Sequence, residues 1–133
     1  MRLALQTDFA LRTLMFLASR KGEARATIAD VAAFFRISEP HVAKVVNQLS
    51  RLGYLRSLRG AKGGIELGRP AADICVGDVI LAFEGNMHLL ECVGTDNVCV
   101  IQDHCKLRVA LAHAERLQLD YLKGIRLTDV LPV

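Results

Sequence analysis

The sequence predicts a mainly α-helical fold that has one small β-hairpin and ends in a long helix. Three observations support this prediction: a short helical pattern followed by a turn and a longer one, a basic glycine-rich stretch between two apolar runs, and a long apolar-patterned segment over residues 104–123. At 133 residues the chain has the usual length of one domain. We therefore expect one compact unit.

The charges are divided unevenly about Pro70, where the composition changes. Residues 1–69 contain 12 Lys and Arg against 5 Asp and Glu, whereas residues 70–133 contain 5 against 9. A basic N-terminal half is typical of a module that binds a polyanion, and we expect the acidic half to have a different function. An ordinary solvated surface with a local imbalance is the alternative.

The first helix is predicted over residues 8–20, with Thr7 as its N-cap and Gly22 near its end. Asp8 lies in the predicted first turn, where the helix dipole favours a carboxylate. On the residues alone, this stabilising role is the simpler explanation of Asp8.

A helix-turn-helix pattern follows. Thr27 and Asp30 have the spacing of a capping box for a short helix that ends near Phe35. After a brief turn, Ser38 is a suitable N-cap for a longer helix that ends at Gly53. A short helix, a tight turn and a longer helix are typical of DNA-binding proteins.

The polar face of the longer helix is the predicted DNA-reading surface, because the N-terminal end of the second helix normally enters the major groove. Ser38, His41 and Lys44 are the candidates for base or phosphate contact, and Arg51 lies further along the same polar face. A merely solvated charged face is the alternative, but the preceding short helix and turn favour DNA.

A β-hairpin is predicted next, with a glycine-rich tip at residues 59–64. Arg56, Arg59 and Lys62 make it basic, so it can act as a wing that reaches phosphates or the minor groove. A nucleotide-binding loop is excluded because the Gly-Lys-Ser/Thr ending and the helix after it are missing.

Three of the four cysteines, Cys92, Cys99 and Cys105, fall within one short segment. Their gaps of six and five residues contain no Cys-x-x-Cys pair, the usual source of zinc ligands. Wider gaps favour a bulkier guest such as an iron–sulfur cluster. Zinc, structural thiols and reactive thiols remain open at this point. Cys75 lies apart in an apolar context and is expected in the core.

The C-terminal half is predicted to hold a short apolar helix at residues 77–84, closed by Gly85, and a long helix from about 104 to 123 capped by Asp103. Cys105 would lie in its first turn. The long helix is apolar on more than one side, so we expect a second copy of the chain to cover it. A short capped turn is expected at residues 127–131.

No segment resembles a signal peptide, and no apolar run is long enough to span a bilayer, so the sequence predicts a cytoplasmic protein with reduced thiols and no membrane partner. No catalytic Ser/His/Asp order or Cys-x-x-Cys pair is present. We therefore expect a binding protein and not an enzyme.

Together these motifs resemble a known family. The opening Thr-Asp-Phe-Ala-Leu-Arg at 7–12, the helix from Ser38 to Gly53, the wing at 59–64 and the three-cysteine loop are similar to the Rrf2 family of bacterial winged-helix regulators. The resemblance implies a homodimer that binds palindromic double-stranded DNA and carries one iron–sulfur cluster per protomer. Residues 1–69 would be the DNA-binding region, and residues 70–133 the cluster loop and dimerisation helix of the same compact unit.

Within the family, residues 44–54 and Asp8 are most similar to the nitric-oxide-sensing repressors. That likeness implies a cluster, 4Fe-4S in preference to 2Fe-2S, held by Cys92, Cys99 and Cys105 with Asp8 from the other protomer. Two features depart from the family's cluster-assembly regulators: the gap after Cys92 is one residue longer, and Arg108 stands where those regulators have a histidine ligand.

The function implied is repression that is relieved when nitric oxide reacts with the cluster and frees the partner's carboxylate. Two alternatives stay open: a regulator of the same family that responds to iron supply or oxidation, and a cluster-free regulator controlled by a protein partner. His88 and His104 are spare nitrogen donors, of which His104 is expected to be exposed.

Overall fold

The computed structural model describes residues 2–20, 25–61 and 63–132. It confirms the mainly helical class with one small hairpin. The elements in chain order are α1 (Leu5–Ala18), α2 (Ile28–Phe35), α3 (Glu39–Arg51), β1 (Leu55–Leu58), β2 (Gly64–Leu67), α4 (Val76–Glu84), α5 (Glu91–Gly94) and α6 (Lys106–Lys123). Short 3-10 turns lie at Ala71–Asp73, Gln102–His104 and Leu127–Val130.

The start of α1 differs from the prediction. The helix begins at Leu5 with Ala4 at the N-cap, so the expected cap by Thr7 was wrong. Thr7 lies inside the first turn and is completely buried, where its side chain packs into the core and cannot cap. No residue before it interrupts the helix, which therefore extends upstream. The helix ends at Ala18 with Ser19 at the C-cap, two residues before the predicted end at residue 20, and Gly22 itself lies outside the described residues.

The helix-turn-helix forms as predicted. The Thr27 backbone N–H donates to the Asp30 carboxylate (2.9 Å), and the Asp30 N–H donates to the Thr27 hydroxyl (3.0 Å), which completes the capping box. Arg36 ends α2 in the left-handed region at φ 57°. Ser38 occupies the N-cap position of α3, but its side chain makes no capping hydrogen bond, which corrects the expected role.

The hairpin pairs β1 with β2 in antiparallel register, from Leu55 opposite Leu67 to Leu58 opposite Gly64. Gly53 separates α3 from β1 with φ 85°, a left-handed conformation that a side chain would strain. Ala26 forms a further bridge to Ile65, and this bridge attaches the hairpin to the chain segment before α2.

One apolar core joins the helix-turn-helix and the hairpin to the C-terminal half. α1 contacts both α3 and α4, and Leu14, Leu49 and Leu127 are completely buried in this core. The core continues into the turn at Leu127–Val130, where the Arg126 N–H donates to the Asp129 carboxylate (2.8 Å), so the capped turn expected there is present.

The C-terminal half confirms the helix closed by Gly85 and corrects the start of the long helix. Asp103 lies within the 3-10 turn and does not cap α6; Cys105 occupies the N-cap position instead. The tight turn returns the Cys105 N–H to the Gln102 carbonyl (3.3 Å) and leaves Cys105 extended, as an N-cap requires.

Cys75 is buried, as expected, and its thiol donates to the Lys123 carbonyl (3.3 Å). No helix in the described part of the chain is long and apolar enough to cross a membrane.

Candidate functional site

The predicted DNA-reading surface is exposed on α3. Ser38, His41, Lys44 and Arg51 are all exposed, whereas the opposite face of the helix is buried through Val42, Val45, Val46 and Leu49. The helix is therefore anchored by one face and offers the other to solvent, the arrangement that a major-groove reader needs.

The wing offers basic side chains beside the same helix. Arg59 is exposed close to the tip, and Arg56 is exposed on β1, where it pairs with Glu66 on the opposing strand (3.1 Å). Arg25 also approaches Glu66 (3.7 Å). Arg56 therefore has a competing carboxylate, whereas Arg59 makes no ion pair with any residue that the structure describes. Lys62 lies outside the described residues.

A contact that sequence reasoning missed connects α1 to the DNA-reading end of α3. The rings of Phe9 and His41 have centroids 6.1 Å apart, and both residues line a shallow cavity with Leu5, Gln6 and Lys44. Helical periodicity does not reveal which face of α1 meets α3, so the sequence carried no signal for this contact. The residue after Asp8 thus contacts a candidate DNA-binding side chain.

The cysteine loop is organised by one buried amide that the sequence analysis did not identify. The Gln102 side-chain N–H₂ donates to the carbonyls of Cys92 (3.1 Å) and Thr95 (2.6 Å). Its side-chain oxygen accepts from the N–H groups of Val98 (2.9 Å) and Cys99 (3.4 Å). One side chain therefore fixes the backbone beside two of the three loop cysteines.

Arg108 ties the same loop to the start of α6. Its guanidinium donates to the Cys92 carbonyl (2.7 Å) and pairs with Asp96 (3.2 Å), and its backbone N–H donates to the Cys105 sulfur (3.4 Å). The sulfur of Cys105 thus lies at the N-terminus of α6, where a helix dipole favours negative charge.

The three loop cysteines are free thiols; Cys99 is exposed, and Cys92 and Cys105 are half-buried. In the described residues of this single chain, no three His, Cys, Asp or Glu side chains are close enough together to hold a metal ion. The chemistry of the donors suits an iron–sulfur cluster, because thiolates are its usual ligands and the three cysteines lie on one loop with none of them buried.

Asp8 is engaged by Arg12 and not by the loop. Its two carboxylate oxygens each lie 2.9 Å from a guanidinium nitrogen of Arg12. Both side chains are about two-fifths exposed (40% and 42%). The structure therefore leaves Asp8 accessible but does not bring it to the cysteines within one protomer.

The outer face of α6 presents large apolar side chains to solvent. Leu107, Val109, Leu117 and Tyr121 are each more than half exposed. His104, just before this helix, is exposed as expected. In the single protomer, the helix that was predicted to form the dimer interface is therefore exposed to solvent on this face.

A helix that is exposed on one face and buried on the other, followed by a basic hairpin, is the winged helix-turn-helix arrangement of a DNA-binding protein. Residues 3–132 match the family model described as "Rrf2: Iron-dependent Transcriptional regulator". The chain belongs to the Rrf2 family.

Individual relatives agree with this assignment. The protein named "HTH-type transcriptional regulator NsrR" from Geobacillus kaustophilus is 41% identical over 132 residues, which cover 98% of this chain and 90% of the relative. The protein of the same name from Bacillus licheniformis is 37% identical over 132 residues, covering 98% and 92%.

Solved structures share the fold. The oxidized form of Staphylococcus aureus CymR superposes with a TM-score of 0.77 at 25% identity, over 100% of this chain and 98% of that one. T. potens IscR gives a TM-score of 0.76 at 23% identity, over 97% and 85% of the two chains, and this likeness concerns the fold alone.

Proposed function

We propose that the chain is a cytoplasmic, homodimeric repressor whose affinity for a palindromic operator is switched by an iron–sulfur cluster that senses nitric oxide. The observation that carries this proposal is the cysteine loop, in which Gln102 and Arg108 organise the backbone around Cys92, Cys99 and Cys105. The two relatives named NsrR support it.

The three loop cysteines would hold the cluster, and Asp8 of the other protomer would complete it. When bound, the cluster supplies iron that reacts with nitric oxide. Arg12 occupies both oxygens of Asp8 in the single protomer, so Asp8 must exchange this guanidinium for the partner's loop. The exposed setting makes that exchange inexpensive, because solvent-exposed ion pairs contribute only about 0–1 kcal/mol.

Asp8 is placed to influence DNA binding. The next residue, Phe9, contacts His41 at the DNA-reading end of α3. Tying or releasing Asp8 would therefore change the position of α1 beside the recognition helix, and with it the spacing of the two DNA-reading helices in the dimer. Ser38, His41, Lys44, Arg51, Arg56, Arg59 and Lys62 are the proposed DNA-contacting residues.

The decisive experiment begins with anaerobic purification, an absorption spectrum, and iron and sulfide analysis, which also distinguishes 4Fe-4S from 2Fe-2S. DNA titration of the cluster-bound, nitric-oxide-treated and metal-free forms should then show affinity lower by about tenfold or more when the cluster is modified or lost, a free-energy difference of about 1.4 kcal/mol. Equal affinity of the three forms would exclude the proposal.

A matched pair of variants separates cluster loss from general damage. Cys99→Ser removes an exposed loop thiol, whereas Cys75→Ser changes a buried cysteine outside the loop. We expect the first variant to lose the cluster and the second to retain it, even if Cys75→Ser is less stable. Iron retained in Cys99→Ser would contradict the ligand assignment.

A second candidate is a response to iron supply, which the description of the family as "Iron-dependent Transcriptional regulator" favours. The same cysteines would then lose their cluster under iron limitation. DNA titration with an iron chelator in place of nitric oxide discriminates the two signals. A colourless, iron-free protein after anaerobic purification would instead favour a cluster-free regulator controlled by a protein partner.

A further inference from the structure

A buried carboxylate on α6 connects that helix to the segment before the cysteine loop. Glu115 is only 9% exposed, in contrast to Asp120 on the same helix, which is exposed. One Glu115 carboxylate oxygen accepts a hydrogen bond from the Leu89 N–H, and the other lies 3.3 Å from Nδ1 of His88. A buried carboxylate needs such partners, so this contact holds the segment between α4 and α5 on α6.

The His88 ring extends the connection to the helix that carries Cys92. A Cβ atom at Gly94 would lie 2.4 Å from both Cδ2 and Nε2 of His88, so this edge of the ring rests directly on the Gly94 backbone. Nδ1 faces the carboxylate, so the opposite edge of the ring, with Cδ2 and Nε2, is directed toward Gly94. A side chain at position 94 would therefore displace the His88 ring.

Cys92 lies in α5, between two independent ties to α6. Arg108 donates to the Cys92 carbonyl (2.7 Å), and Glu115 acts through His88 on Gly94. We propose that Glu115 is a positioning residue for Cys92: through His88 it presses α5 against α6 and so sets how far the Cys92 thiol is presented to solvent and to a bound cofactor.

Only the cofactor part of this inference rests on the proposed function; the positioning of the thiol does not. It can therefore be tested in the full-length, metal-free chain. The readout is the iodoacetamide alkylation rate of each cysteine, measured by peptide mass spectrometry under non-denaturing conditions. Cys99, whose N–H is held by Gln102 and not by Glu115, is the internal reference.

Glu115→Gln keeps the size of the side chain and removes its charge. We expect the ratio of the Cys92 alkylation rate to the Cys99 alkylation rate to rise about tenfold. The reason is that the segment opens more often when one hydrogen bond to a charged group is lost. Asp120→Asn makes the same chemical change at an exposed position of α6 and should leave the ratio unchanged. An unchanged ratio in Glu115→Gln, or an equal change at Cys99, would overturn the proposal.

A second set of variants keeps the proposal testable if Glu115→Gln does not fold. Gly94→Ala should change the Cys92 ratio by displacing the His88 ring, whereas the same substitution in a His88→Ala background should have no further effect. Additive effects of the two substitutions would show that the ring does not transmit the contact, and would overturn the proposal.

The cofactor part is measured separately. In anaerobically prepared protein, we expect Glu115→Gln to lose iron to a chelator about tenfold faster than wild type, whereas Asp120→Asn should match wild type. Equal rates for Glu115→Gln and wild type would overturn this part. If the wild-type protein contains no iron, the proposed function is wrong. The alkylation ratios of the metal-free chain would still test whether Glu115 positions Cys92.

Discussion

Asp8, the proposed cluster ligand, forms an ordinary surface ion pair with Arg12. Arg12 binds both carboxylate oxygens at 2.9 Å, but both side chains remain substantially exposed. Such a pair contributes about 0–1 kcal/mol, less than a metal–ligand bond can supply. Arg12 can therefore keep Asp8 ordered without preventing the proposed transfer of Asp8 to the cysteine loop of a second protomer.

The substitution Asp8→Ala tests this role. We expect the variant to bind the cluster through its cysteines, to lose most of the difference in DNA affinity between cluster-bound and nitric-oxide-treated forms, and to change stability by less than about 1 kcal/mol. DNA titration and denaturant unfolding measure these effects. Asp78→Ala, at an acidic residue in the first turn of α4, is the control and should respond like wild type.

Thr7 offers a second test at the level of one residue. Its hydroxyl is completely buried and has no hydrogen-bond partner among the described residues, whereas the Thr13 hydroxyl on the same helix donates to the Phe9 carbonyl (2.8 Å). Thr7→Val should therefore stabilise the protein by about 1 kcal/mol, and Thr13→Val should destabilise it by a similar amount. Destabilisation by Thr7→Val in urea unfolding would show that the hydroxyl is bonded after all.

Helix α2 is short, so the hydrogen bonds at its ends contribute a large share of its stability. The Thr27 backbone hydrogen bond, and then the Thr27 hydroxyl, hold the pKa of Asp30 below its ordinary value of 3.8. A lowered folded pKa means that the stabilising contribution of Asp30 is complete above pH 3.8 and is lost as the pH falls through the folded value. The capping box is therefore an acid-sensitive support of the helix-turn-helix.

We predict that Thr27→Ala destabilises the protein by about 1 kcal/mol. It should also raise the pKa of Asp30 toward its ordinary value, which an NMR titration would detect. Ser38→Ala is the matched control, because Ser38 occupies an N-cap position without a capping hydrogen bond. A larger loss of stability for Ser38→Ala than for Thr27→Ala would contradict this account.

The same elements show how far local sequence rules extend. Capping and periodicity act within a few residues, so they predicted α2, the wing and the end of α3 correctly. The start of α6 was misplaced because Asp103 satisfies the local capping preference and Cys105 does not, whereas the tight turn at Gln102–His104 places Cys105 at the N-cap. The role of Glu115 depends on groups 26 and 27 residues away, and the role of Gln102 depends on the irregular path of the cysteine loop over ten residues. Neither role is encoded in a local capping or periodic pattern.

At the scale of the whole molecule, α1 connects the two halves because it packs on α3 and on α4. α4 in turn contacts α6, whose outer face remains apolar and exposed in the single protomer. A dimer through α6 would therefore link the proposed cofactor loop, α1 and the recognition helix through packed contacts. The arrangement of two protomers could not be predicted from the sequence. An apolar helix face predicts that some surface covers this helix, but it does not predict which surface of the partner does so.

The substitution Leu117→Glu tests α6 as the dimer interface. A charge placed in a buried apolar contact is left without a partner, so the dissociation constant should rise about hundredfold, equivalent to about 3 kcal/mol. Sedimentation analysis over a concentration series measures this change. Phe34→Glu is the control, because Phe34 is a comparably exposed apolar residue (68%, against 59% for Leu117) on α2. Dissociation caused by Phe34→Glu but not by Leu117→Glu would place the interface on the α2 surface, and Asp8 would then need another route to the partner's cysteines.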